Sequence, residues 1–190
     1  MRTGHAGGHE VRGGIIMRRL GVIVALGALL GMFAGVLTAS PALAGRGHKW
    51  QLVSASPFTI PAGFCGFKIR GTWSVDKEFT KLLKASDGSM ISLVSGSLKV
   101  TLTNLSTGKA IDENVSGPGK ITMHPDGSVT VAAKGHSGPE VLTPADAKRF
   151  GLPTVSVTSG ALTGLVAANG VITSLSLHGH VLVDVCAALS

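Results

Sequence analysis

The sequence predicts an all-β domain, either a single antiparallel barrel or a two-sheet sandwich, with one short helix. From His48 onward, short runs rich in Val, Ile, Leu and Thr alternate with Gly, Ser, Pro and Asp-Gly breaks, the pattern of half-buried strands joined by tight turns. These turns follow one another too closely for the crossovers of a dozen or more residues that parallel neighbours need, so the strands form an antiparallel meander. Roughly nine to eleven such strands in one domain must close into a barrel or split into two packed sheets.

The chain ahead of that domain has a different character. Arg18 and Arg19 precede an uncharged apolar run from Leu20 to Ala39, and Pro41-Ala42-Leu43-Ala44 presents small side chains at Ala42 and Ala44. This layout makes residues 17–44 a secretory signal peptide, cut after Ala44. Left uncleaved, the run is long enough to anchor the chain in a bilayer, so membrane contact is expected only through this segment. Met17, directly before the arginines, is the more natural start, which leaves residues 1–16 as an upstream extension whose His5 and His9 carry no functional weight. Residues 45–190 then form a single β domain of 146 residues, long enough to bury a substantial core.

Within the domain, residues 50–60 and 66–74 read as the first two strands, separated by Pro61-Ala62-Gly63-Phe64-Cys65. Residues 76–84 fit a strand or a helical turn, and strand is preferred. Asp87-Gly88-Ser89 turns the chain into strands at 90–94 and 98–104. In the second of these, Leu98, Val100 and Leu102 share one face and Lys99, Thr101 and Thr103 the other. Thr107-Gly108, Ser116-Gly117-Pro118-Gly119 and Asp126-Gly127-Ser128 punctuate strands at 109–115, 120–124 and 129–133. Residues 135–153 interrupt the pattern with a short helix over 143–151: Thr143 is its N-cap, Pro144 suits its first position, Asp146 falls in its first turn, and Gly151 and Pro153 stop it. Strands at 154–162, 163–168 and 171–186 complete the domain, with Asn169-Gly170 its strongest hairpin signal. The last is one long strand, or two short ones hinged at Gly179.

Export decides the reading of the cysteines. Cys65 and Cys186, 121 residues apart, are expected to form a disulfide tying the start of the domain to its end. In the final strand His178, His180 and Asp184 fall on one face, so they are the candidate zinc or copper ligands, although a site needs further ligands and only His48, His124 and His136 remain. The bland alternative is a solvated outer face. The aromatic residues cluster in the first third, where they fill the core or, alternatively, Trp50, Phe67 and Trp73 line a cavity for an apolar ligand.

Other chemistries find little footing. The net charge is +7, but Arg2, Arg12, Arg18 and Arg19 against Glu10 account for three of those charges and the remaining lysines are scattered, which argues against a nucleic-acid partner. With no tyrosine and only two tryptophans, the chain lacks the aromatic platforms on which sugars and unstacked bases lie. Asp112 and Glu113 point to opposite faces of a strand, and Asp76 and Glu78 open a loop-like segment, so neither pair suits a glycosidase. There is no Gly-x-Ser-x-Gly elbow, no catalytic residue is assigned, and no cofactor is implied. Asn104-Leu105-Ser106 and Asn114-Val115-Ser116 match the glycosylation pattern, but turn and strand-end roles explain both asparagines.

Pro61-Ala62-Gly63-Phe64-Cys65-Gly66-Phe67, Thr101-Leu102-Thr103-Asn104 with Thr107-Gly108-Lys109, Asn114-Val115-Ser116-Gly117-Pro118-Gly119, Asp126-Gly127-Ser128 and Asp184-Val185-Cys186-Ala187-Ala188-Leu189 carry a resemblance. Across most of residues 50–190 the chain resembles a group of small secreted actinobacterial proteins whose function is not established. The resemblance implies secretion and the disulfide and supplies no catalytic residue. The expectation is therefore a secreted or extracellular, non-enzymatic domain that meets an envelope or extracellular partner or holds a small apolar ligand. The rival is a cyclase- or isomerase-type enzyme working in a barrel mouth.

Overall fold

Alternating side chains carry the strands farther than the turn signals suggest. The computed structural model describes residues 49–190; the upstream extension at 1–16, the signal peptide at 17–44 and His48 lie outside the described residues. The strands are β1 (Gln51–Val53), β2 (Phe58–Ile60), β3 (Ile69–Lys84), β4 (Met90–Asn104), β5 (Ala110–Asn114), β6 (Gly119–Met123), β7 (Val129–Val141), β8 (Val155–Val166) and β9 (Ile172–Asp184). Three short helices, α1 (Ala62–Cys65), α2 (Pro144–Phe150) and α3 (Val185–Leu189), complete the fold. All the pairings are antiparallel and belong to one nine-stranded sheet in the order β1-β3-β4-β6-β7-β8-β9, with β2 on β3 and β5 on β4. The all-β expectation with a short helix holds, and the barrel does not, because β1 and β9 never pair.

Several expected breaks are strand interior. Ser95-Gly96-Ser97 runs straight through β4, opposite Phe79, Glu78 and Lys77, and the expected break between residues 162 and 163 lies inside β8, where Leu162 and Thr163 pair with Leu177 and Ser176. Glycine inside a strand marks a close approach of backbones rather than a turn. Residues 66–74 and 76–84 fuse into β3 across a bulge between Trp73 and Val75. Conversely, residues 50–60 split into β1 and β2, where Pro57 has no N–H for a ladder and the Ala55 N–H donates to Asp76 Oδ2 at 2.8 Å. At the C-terminus, Asp184 ends β9 by accepting the Ala187 N–H at 3.1 Å, so Cys186 sits on a helix and not on the final strand.

The sheet folds over on itself. One end of it, with Ile60 of β2, Ile69 of β3 and Leu98, Val100 and Leu102 of β4, packs against Val141, Val155 and Val157 at the other, and Val185 and Leu189 of α3 seal the same cluster. A second cluster joins Val166 and Ile172 to Leu142 and Ala147 under α2. The strands serve both clusters because β7, β8 and β9 cross a row of glycines, Gly135, Gly160 and Gly179, paired in register. Gly160 has φ 123°, and a Cβ on Gly160 or Gly179 would overlap the backbone of the other strand.

Covalent and polar ties hold the fold shut. Cys65 at the end of α1 and Cys186 on α3 are joined, with Cα atoms 5.1 Å apart, and Thr154 Oγ1 beside them donates to the Phe64 carbonyl at 2.9 Å. Asn104, buried, donates from Nδ2 to the Leu189 carbonyl at 3.0 Å while its Oδ1 accepts the Ser106 N–H.

Gly179→Val should lower the unfolding free energy in urea by at least about 2 kcal/mol, whereas Gly63→Ala, at a position with open space around it, should leave it nearly unchanged. Replacing both cysteines by serine opens a 121-residue loop and should cost about 4 to 5 kcal/mol on the chain-entropy argument; an unaltered urea midpoint would contradict it.

Candidate functional site

The strongest site candidate is an opening among β7, β8 and β9, next to the cluster that α2 covers. Thr143 caps α2, its Oγ1 accepting the Asp146 N–H at 3.1 Å, Pro144 occupies the first turn, and Gly151 ends the helix at φ 67°. Arg149 then fixes the helix to the edge strand, donating to the Ile172 and Thr173 carbonyls at 3.0 and 3.1 Å. Beside it opens a cavity walled by Val131, Leu142, Leu162, Val166, Ile172 and Leu175. The enclosed space is about 30 Å³, room for one or two waters, and the rest of the opening is continuous with solvent. Gly164 also lines it, and the missing side chain helps keep it open.

One carboxyl interrupts this apolar wall. A bulge in β7 between Ser137 and Glu140 inserts Gly138 and Pro139 into the ladder against β8. Residues three apart in a regular strand point to opposite faces; the inserted residue brings Ser137 and Glu140 to the same face. Ser137 Oγ donates to Glu140 Oε1 at 3.0 Å and shares a second hydrogen bond, also 3.0 Å, with Thr158 Oγ1. Burial pushes the Glu140 carboxyl up to about 7, with the Ser137 hydroxyl pulling the other way.

A second cavity, enclosing about 50 Å³, has Val131 in its wall as the first does. Glu78, His136, Ser137 and Lys120 contribute its polar atoms. Burial, and then the neighbouring Asp76, raise the pKa of Glu78. His136 Nδ1 and Asp76 Oδ1 are buried without a hydrogen-bond partner. Asp76 and Glu78 therefore share a face of a true strand, β3, rather than opening a loop. Glu113 is also raised, by burial and by Asp112, against the opposing pull of His136.

The sequence-predicted residues fall elsewhere. His178, His180 and Asp184 lie on the exposed face of β9, Asp184 is occupied in capping α3, and among the described residues no group of three or more His, Cys, Asp or Glu could hold a metal. His124 bonds Thr130 Oγ1 through Nε2 at 2.8 Å. Trp50 is exposed, while Phe67 and Trp73 pack on the first core cluster, Trp73 against Phe58 with ring centroids 5.5 Å apart. None of the three lines either cavity. Asn104 is too buried to accept a glycan, and Asn114 Oδ1 accepts the Ser116 N–H at 3.0 Å.

Glu140 escaped the sequence reading because residues 135–153 read as an interruption. The available signal is a lone carboxylate between Pro139 and the apolar pair Val141-Leu142. Comparison with protein-family models, with curated proteins and with solved structures gives no match.

Glu140 makes stability pH-dependent. Its folded value of about 7 exceeds the ordinary 4.5, so the native protein keeps a proton that the unfolded chain releases in between. Its contribution is complete below the lower value and declines as pH rises through the upper one. Urea denaturation at about pH 5 and about pH 8 should show a fall of roughly 2 to 3 kcal/mol, and Glu140→Gln should remove most of it. Equal slopes in the two proteins would refute the assignment.

Proposed function

We propose that this chain is an exported, non-enzymatic β domain of the cell envelope or extracellular space that holds a small apolar ligand. The observation that carries this reading is the opening among β7–β9, apolar on nearly every side, whose enclosed part of about 30 Å³ a ligand would enlarge by moving the flexible Leu175 side chain beside Gly164. The joined cysteines fit an oxidising compartment, and the resemblance to small secreted actinobacterial proteins supports the same address. Among the described residues no helix is long and apolar enough to cross a membrane.

The rival reading, a cyclase- or isomerase-type enzyme, moves from a barrel mouth to the second cavity, where Glu78 and His136 are its acid–base candidates. The pairing of Leu52 with Phe79 across β1 and β3, 61% and 42% exposed, favours an additional protein contact.

Gly164→Leu separates these readings. A Cβ at Gly164 would meet the end of the Leu175 side chain at 3.3 Å, a flexible neighbour that can yield, so the variant should fold and fill the first cavity. Fluorescence titration with the neutral apolar probe N-phenylnaphthylamine should show saturable binding to the wild type and at least a tenfold loss, about 1.4 kcal/mol, in the variant. Equal binding by both proteins, or none by the wild type, would sink the proposal.

A further inference from the structure

We infer that the outer face of β1, β3 and β4 docks on an anionic lipid surface, with Trp50, Leu52 and Phe79 entering the interface and the lysines around them meeting the head groups. Membrane contact then belongs to the domain itself, whatever residues 17–44 contribute, and it is independent of the opening among β7–β9.

Strand register sets the apolar centre of this face. Leu52 pairs with Phe79 across β1 and β3, so the two side chains stand together. Thr80, next to Phe79, is buried and pairs with the buried Val94, and alternation therefore turns Phe79 to the outside of the sheet. Trp50, two residues before Leu52, is 49% exposed. All three are large apolar side chains standing in water.

The same alternation sorts the charges of β3. Lys77 and Lys81, two residues on either side of Phe79, share its outer face. Asp76 pairs instead with the buried Leu98 and accepts the Ala55 N–H, and Glu78 lines the second cavity. On β4, Lys99 lies between the buried Leu98 and Val100 and so points outward, two residues beyond Ser97, the partner of Lys77. Lys49 is exposed beside Trp50. Among the described residues of β1, β3 and β4 no carboxylate shares this face; Asp112, beyond Lys99 on β5, accepts the Thr101 hydroxyl. Lysines scattered along the sequence are thus gathered around one apolar cluster.

That combination selects the partner. Protein–protein interfaces are depleted of lysine, so the charge around Leu52 and Phe79 favours a lipid surface over the protein contact that the apolar pair alone suggests. A soluble polyanion would meet the lysines and leave Leu52 in water. An anionic bilayer takes both, because tryptophan and other apolar side chains settle at head-group level while lysine stems cover apolar surface and keep their ammonium groups among the phosphates. Each lysine brought to such a surface strengthens binding about fivefold.

Co-sedimentation of the disulfide-bonded protein with vesicles tests this, using phosphatidylcholine alone and phosphatidylcholine with an equal part of phosphatidylglycerol. The wild type should pellet with the anionic vesicles and not with the neutral ones, and salt at about 1 M, where the screening length is about 3 Å, should weaken binding at least tenfold. Lys77→Gln with Lys99→Gln should weaken it roughly 25-fold, and Leu52→Ser with Phe79→Ser at least about tenfold. Lys148→Gln, on α2, should stay within about twofold of the wild type. The two lysines are exposed, so their variant should keep the wild-type urea midpoint, and it decides the question alone should the apolar pair impair folding. Absence of binding to anionic vesicles, or equal binding to both kinds, would overturn the inference. So would an affinity unmoved by the lysine pair, the mark of attachment through another segment, or one lowered as much by Lys148→Gln. A dimer that forms without lipid and is dissolved by Leu52→Ser with Phe79→Ser would make the face a protein contact and overturn it as well.

Discussion

Three long strands meet at a row of glycines, and the rest of the structure depends on that row. Gly135, Gly160 and Gly179 lie opposite one another on β7, β8 and β9, and a side chain on either of the last two would collide with neighbouring backbone. Glycine in a strand interior ordinarily weakens it, through lost entropy and lost packing. Here it lets the backbones approach where the strands pass from one core to the other. Val141, Val155 and Val157 serve the cluster sealed by α3, while Val166 and Ile172 serve the cluster under α2. A single sheet thereby encloses two interiors.

An open sheet folded in this way lacks the ladder of hydrogen bonds that would close a barrel. Its ends are held instead by a disulfide between α1 and α3 and by the buried Asn104, which ties the last turn of the chain to the end of β4. The terminal helix lies between the two ends of the sheet, with Val185 and Leu189 fully buried there. Tertiary packing, rather than propensity, accounts for a helix of five residues.

The legible parts of the sequence were those governed by local chemistry. Thr143, Pro144 and Gly151 specify α2 through capping and fixed dihedrals, and Asp87-Gly88 and Asp126-Gly127 specify turns because glycine there takes positive φ. Strand continuity was less legible, since Ser-Gly at residues 95–96 has the composition of a turn and only the partner strand decides otherwise. The disulfide pairing followed from having two cysteines, yet the seat of Cys186 on a helix depended on Asp184 acting as a cap. Glu140 was hidden for a related reason: its environment is created by a bulge and by β8, and the Gly138-Pro139 that marks the bulge reads equally as a break between strands.

That bulge joins the fold to the site. Without it, Ser137 and Glu140 would point to opposite faces, and the carboxyl would be buried with no donor at all. With it, the Ser137 hydroxyl satisfies one oxygen of the carboxyl. The arrangement is also stiff: Glu140 and Ser156 are paired in a ladder, and side chains on sheet strands keep their geometry better than side chains on loops. A half-buried carboxyl held this firmly takes its raised pKa from the sheet itself rather than from a mobile loop.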